Sequence, residues 1–280
     1  MKKIAFLSMI LLSTAFSNNY LKLGIEALKN GDYDKAAEIY EKACDDGNAN
    51  DCLVLGIFNP NKEDAEQKYN KSFVKFYERD CNSGNADSCF DLGVLYEDGQ
   101  KVKQDYHQAT KLFEKACNAG NASGCFSLGV LYDNGQGVKQ NLHKAAKLYK
   151  KACDGESISG CFNLGCLYQE GQGVEQNYYK AAKLFEKACN RGDIEACYNL
   201  GLLYTNGKGV KQNYYKAAKL FEKACKNEND RGCFSLGALY NNGQGLIQDY
   251  HTAKEYFGKA CDLGHQNGCD LYKKLNKKGF

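Results

Sequence analysis

Cysteine supplies most of the chemistry available to this chain: fifteen thiols in 280 residues. Fourteen of them form pairs eight residues apart, Cys44/Cys52, Cys81/Cys89, Cys117/Cys125, Cys153/Cys161, Cys189/Cys197, Cys225/Cys233 and Cys261/Cys269, and the pairs recur about every 36 residues. Such thiols can bind zinc, exchange electrons or close as disulfides. Zinc is poorly served, because no C-x-x-C spacing occurs and the four histidines are not beside the cysteines. Seven disulfides are therefore expected, and no metal or cofactor. Cys166 has no mate. It stands where other copies of the unit have Val130 or Leu202, so it is either an apolar substitute or a thiol facing a ligand, with a mixed-disulfide dimer as a further option. Nothing near it in sequence would activate it as a nucleophile.

Other catalytic elements are fragmentary. Ser72-Phe73-Val74-Lys75 matches the S-x-x-K of serine–lysine acyl enzymes and Ser83-Gly84-Asn85 matches S-x-N, but K-T-G is missing. Ser72 and Lys75 are thus a weak catalytic pair. His107, His143 and His251 share one repeat position with Tyr179 and Tyr215, too far apart to converge on one metal. The G-x-G elements, such as Gly135/Gly137, follow no strand and join two helices, which makes them turn elements and not nucleotide fingerprints.

The chain opens MKKIAFLSMILLSTAFSN, with a basic start, a short apolar run, and small residues at Ala15 and Ser17. This pattern reads as a secretory signal over residues 1–17, cleaved near Ser17/Asn18, and predicts a secreted or periplasmic protein. No later segment is apolar for long enough to insert in a membrane. Losing Lys2 and Lys3 would leave 35 basic against 34 acidic residues, a balance without the footprint of a nucleic-acid binder.

The elements that must position these groups repeat. KLFEKACNAGNASGCFSLGVLYDNGQGVKQN, starting at Lys111, returns with few changes at intervals of 36 residues. Each copy predicts two helices and a glycine-rich loop. The first helix, about Asn121 to Asp133 in one copy, carries C-F-x-L-G-x-L-Y, and the second carries A-x-K-L-F-E-K-A-C. Asp105, Asn141, Asn177, Asn213 and Asp249 sit in register as N-caps of the second helices. The expected units are 20–44, 48–81, 85–117, 121–153, 157–189, 193–225 and 229–261, with a capping helix at 265–278, in one solenoid over 18–280. Each disulfide would then join the end of a second helix to the next unit's first helix.

A unit of this length with L-G-x-L-Y, G-x-G-V and K-A-C resembles the Sel1-like repeat, and the bridging cysteine pair resembles that of the Helicobacter cysteine-rich (Hcp) proteins. The resemblance implies an all-α, right-handed αα-superhelix with a concave inner face. It also implies weak penicillin-binding or β-lactamase activity, and links to peptidoglycan and host proteins.

On a helical wheel, Cys89, Leu92, Gly93 and Tyr96 form one face, and Asp87, Asp91, Val94 and Asp98 the opposite one. The polar column continues through Ser127 and Asn134, Asn163, Asn199 and Asn206, then Ser235 and Asn242. It predicts a groove for the backbone of an extended peptide or protein, peptidoglycan-derived or from a host, bound by a monomer. Hydrolysis of β-lactams is the alternative function.

Overall fold

The computed structural model describes residues 19–45, 74–99 and 102–280, and every regular element among them is α-helical. The chain divides into two compact units at Asp105/Tyr106. In the N-terminal unit, α1 (Asn19–Lys29) and α2 (Tyr33–Asp45) pack through Ala27, Ala36 and Tyr40. Residues 74–82 are helical and lead to α3 (Ala86–Asp98). The C-terminal unit is a helical repeat array. It runs α4 (Tyr106–Asn118), α5 (Ala122–Asn134), α6 (Leu142–Asp154), α7 (Ile158–Glu170), α8 (Tyr178–Asn190), α9 (Ile194–Asn206), α10 (Tyr214–Lys226), α11 (Asp230–Asn242), α12 (Tyr250–Asp262) and α13 (Gln266–Lys277). Helices consecutive in sequence pack on one another. Among them α5, α7, α9 and α11 are the first helices of their repeats, and α4, α6, α8, α10 and α12 the second.

Local sequence sets the boundaries. Asn141, Asn177, Asn213 and Asp249 each accept backbone N–H bonds from the opening turn of a second helix. Asn121, Ser157, Asp193 and Asn229 do the same for the first helices, satisfying donors that have no partner inside the helix. His265 caps α13 through Nδ1, 3.2 Å from the Gly268 nitrogen, and its ring stacks on Phe234. This role for a histidine was not visible in the sequence.

Alanine and glycine bring the helices close. One aromatic side chain per second helix is buried, Tyr149, Phe185 and Phe221 among them. Its ring lies against the glycine of L-G-x-L-Y in the same repeat: a Cβ on Gly165 would stand 2.7 Å from Phe185. The leucine two residues after that glycine (Leu131, Leu167, Leu203, Leu239) is also buried, so the packed face of a first helix is broader than the wheel implied.

Six disulfides form among the described residues, with Cα–Cα distances of 4.4–4.7 Å: Cys81–Cys89, Cys117–Cys125, Cys153–Cys161, Cys189–Cys197, Cys225–Cys233 and Cys261–Cys269. The expected Cys44–Cys52 bond lies outside the described residues. Each bond ties the last turn of one helix to the first turn of the next. Lys187 and Lys223 then reach back one repeat, each donating to the carbonyl of the preceding second helix's cysteine, Cys153 and Cys189, at 2.7 Å. A cation is favourable at a helix C-terminus, where carbonyls lack partners.

Candidate functional site

In the C-terminal unit the polar column comprises Ser127, Asn163, Asn199 and Ser235 at equivalent positions of α5, α7, α9 and α11. All four are half-buried. The wheel put them on the side away from the packing. The structure corrects this, because a first helix also packs sideways against its neighbouring repeats. Val130 lies against the cluster holding Leu164 and Leu167, Cys166 against that holding Leu200 and Leu203, and Leu202 against that holding Leu236 and Leu239. A single-helix wheel cannot contain those neighbours. The apolar centre of the column is therefore part of the core, and the polar members border it.

Their hydrogen bonding differs along the row. Ser127, Asn199 and Ser235 have no side-chain partner among the described residues. Asn163 instead lies near the Tyr149 hydroxyl, which donates to Asp133 Oδ2 at 2.9 Å. Burial pushes the Tyr149 hydroxyl's pKa well above the usual phenol range, with the Asp133 carboxylate adding to the rise and Asn163 opposing it. Asp91, in the N-terminal unit, holds the same relation to Tyr77: burial raises its carboxyl, while the hydrogen bond from Tyr77 opposes the rise. At the outer edge, Asn134, Asn206 and Asn242 are exposed and engaged locally, with Gln136, the Leu202 carbonyl and Asn241 respectively. Replacing Tyr149 with phenylalanine, the residue of α4, α8, α10 and α12 at this position, should cost about 1 kcal/mol in chemical denaturation, since a half-buried carboxylate loses its donor.

Cys166 is free and half-buried. Burial pushes its thiol up to about 12, and the carboxylates of Glu170, Asp193 and Glu195 add to the rise. A thiolate is scarce there at neutral pH, which matches the apolar-substitute reading of this residue. At pH 8 the folded protein should react with iodoacetamide about a thousandfold more slowly than free cysteine, with rapid labelling after denaturation. Fast labelling of folded protein would contradict this environment.

Ser72 lies outside the described residues, and Lys75 is exposed on the 74–82 helix. Among the described residues no group of three or more His, Cys, Asp or Glu side chains could hold a metal ion, and no helix is long and apolar enough to cross a membrane. An open hollow of about 590 Å³ lies between His143, Tyr168, the loop at 171–175 and Lys180. There His143 Nδ1 is 3.1 Å from the Gly173 carbonyl oxygen, and the Lys180 ammonium sits 5.0 Å from the Tyr168 ring centroid. His143 thus serves the joint between repeats.

A row of capped helix pairs, stapled by disulfides and presenting a polar column, defines a repeat scaffold. The family model for the Sel1 repeat matches residues 19–48, 86–121, 122–157, 158–193, 194–229 and 230–265, and the chain belongs to the Sel1-repeat family. It is a cysteine-rich member similar to the Hcp proteins. Over 44 residues, 16% of this chain and 12% of the relative, it is 46% identical to HcpE of Helicobacter pylori (strain J99), whose name proposes β-lactamase activity for that protein. Two crystal structures share the fold. One is c5321, a protective antigen present in uropathogenic Escherichia coli strains (TM-score 0.74, 27% identity, 87% of this chain and 52% of that one). The other is a Sel1 repeat protein from Oxalobacter formigenes (TM-score 0.67, 25% identity, 78% of this chain and 86% of that one). The chain spans about half the length of c5321 and a small part of HcpE. The fold is that of a protein-interaction scaffold, and its disulfides belong to an oxidising, extracytoplasmic compartment.

Proposed function

We propose that this protein is a secreted or periplasmic scaffold that binds an extended peptide, or a segment of a partner protein, along its row of first helices. One observation carries the reading: Ser127, Asn199 and Ser235 lie half-buried in equivalent positions with hydrogen-bonding capacity unused by the described residues. Groups so placed gain most from a ligand that bonds them, and a peptide backbone offers a donor and an acceptor at every residue. Asn163 continues the row, and Asn134, Asn206 and Asn242 would line its rim. Fragments of peptidoglycan and host proteins are the ligands that fit an exported member of this family, acting as a monomer.

Calorimetry with peptidoglycan stem peptides, and with peptides selected from a random display library, tests this. Asn199→Ala with Ser235→Ala should weaken a bound peptide at least about tenfold. Peptide binding indifferent to both changes would sink the proposal. Hydrolysis of β-lactams has the name of HcpE in its favour. Turnover of a chromogenic cephalosporin that survived repeated purification and fell on Ser72→Ala would establish it in place of binding alone.

A further inference from the structure

The near-zero net charge of the mature chain conceals a segregation between the two kinds of helix. The second helices α4, α6, α8, α10 and α12 hold fifteen lysines against six carboxylates. The first helices α5, α7, α9 and α11 hold the carboxylates of Asp133, Glu170, Glu195 and Asp230 against Arg231 alone. Some of the lysines are spoken for: Lys150 pairs with Asp154, Lys226 with Glu222, and Lys187 and Lys223 bond helix-end carbonyls. Lys111, Lys147, Lys183 and Lys219 occupy one register position, are exposed, and form no ion pair among the described residues. Beside two of them stand exposed tyrosines, Tyr179 at 56% and Tyr215 at 54% relative exposure, each 4.6 Å from the ammonium of Lys183 or Lys219.

We infer that this lysine–tyrosine row on the second helices is a docking surface for an acidic polypeptide segment, separate from the column on the first helices. Helices in contact lie about 8–10 Å apart, and the bonds from Lys187 to Cys153 and from Lys223 to Cys189 show that successive second helices are neighbours. A segment in the polyproline II conformation rises about 3.1 Å per residue with three residues per turn, so carboxylates at every third residue share one face about 9 Å apart and meet one lysine per repeat. Tyrosine adds broad, rigid contact area at little entropic cost. A protein partner also fits the interaction role of the repeat. The row ends at α12, where Glu255 takes the lysine's place.

The test is fluorescence anisotropy on the oxidised mature chain at low salt, with a labelled peptide carrying glutamate at every third position and a glutamine version as control. The glutamate peptide should bind saturably and the glutamine version should not. Lys147→Glu, Lys183→Glu and Lys219→Glu together should weaken binding at least about tenfold, and Tyr179→Ala with Tyr215→Ala a few-fold, with both variants keeping the helical circular dichroism of the parent. Should charge reversal disturb folding, the same three lysines changed to glutamine give the same reading. No binding of the glutamate peptide, or binding unchanged in the triple variant, overturns the inference. So does tighter, lysine-dependent binding of a heparin fragment or of phosphatidylserine vesicles, which would make the surface one for glycans or lipid. Asn199→Ala should leave this binding unchanged, so failure here and failure of the first-helix column can be told apart.

Discussion

Gly173→Ala should lower the unfolding free energy by about 2–4 kcal/mol, among the largest effects expected of a single methyl group at the described residues, with Gly209 the equivalent position one repeat on. Two independent costs add at this site. The residue has φ +67°, in the left-handed region that a Cβ disfavours by about 1–2 kcal/mol. The new Cβ would also stand 2.3 Å from the carbonyl carbon of Leu142, and backbone cannot swing aside as a side-chain tip can. Leu142 opens α6, the second helix of the preceding repeat, so the clash falls on a joint between repeats. Guanidinium denaturation followed by circular dichroism measures the loss. Gly192→Ala provides the contrast: its φ is +101°, but nothing lies within 4 Å of the added Cβ, so it should show the conformational cost alone. Equal losses at the two positions would mean that the loop-on-helix contact contributes little.

Full reduction should be more damaging still. Each bridge in the C-terminal unit closes a loop of eight-residue separation, worth roughly 2.5 kcal/mol through restriction of the unfolded chain. The five bridges from Cys117–Cys125 to Cys261–Cys269 together represent on the order of 10 kcal/mol, comparable with the whole stability of an ordinary domain. The reduced protein should therefore lose its helical signal at room temperature or in very little denaturant, while the oxidised form survives strong denaturant. Circular dichroism with and without a phosphine reductant decides it. A reduced protein with an unchanged midpoint would show that interface packing suffices without the bridges.

The helix boundaries were legible because the signals that set them are local. An asparagine or aspartate at most starts and a glycine at the end of every first helix act through backbone groups a few residues away, and six of the cysteine pairs followed from one spacing. Contacts between repeats were not legible. The second glycine of G-x-G reads as a turn residue, yet the structure also uses its missing side chain to seat the loop on the preceding repeat. The half-burial of Cys166 depends on Leu200 and Leu203 in the next repeat, outside any helical wheel. The Tyr149 hydroxyl matters because Asp133, sixteen residues back, accepts from it, a pairing that no local signal in the sequence marks. The charge segregation escaped because a net charge sums over faces that the fold separates.

The joints between repeats have a consequence for how such a protein can change in size. Successive repeats meet through the same few contacts: a loop glycine on a helix start, a disulfide across a hairpin, and a lysine on a helix end in two of the junctions. A duplicated copy would find the same sockets on both sides and need no new complementary surface. Length is therefore an open parameter, and each added copy extends the polar column by one more asparagine or serine. On the proposed binding role, a longer array of this kind would reach a longer ligand with the chemistry of every contact unchanged.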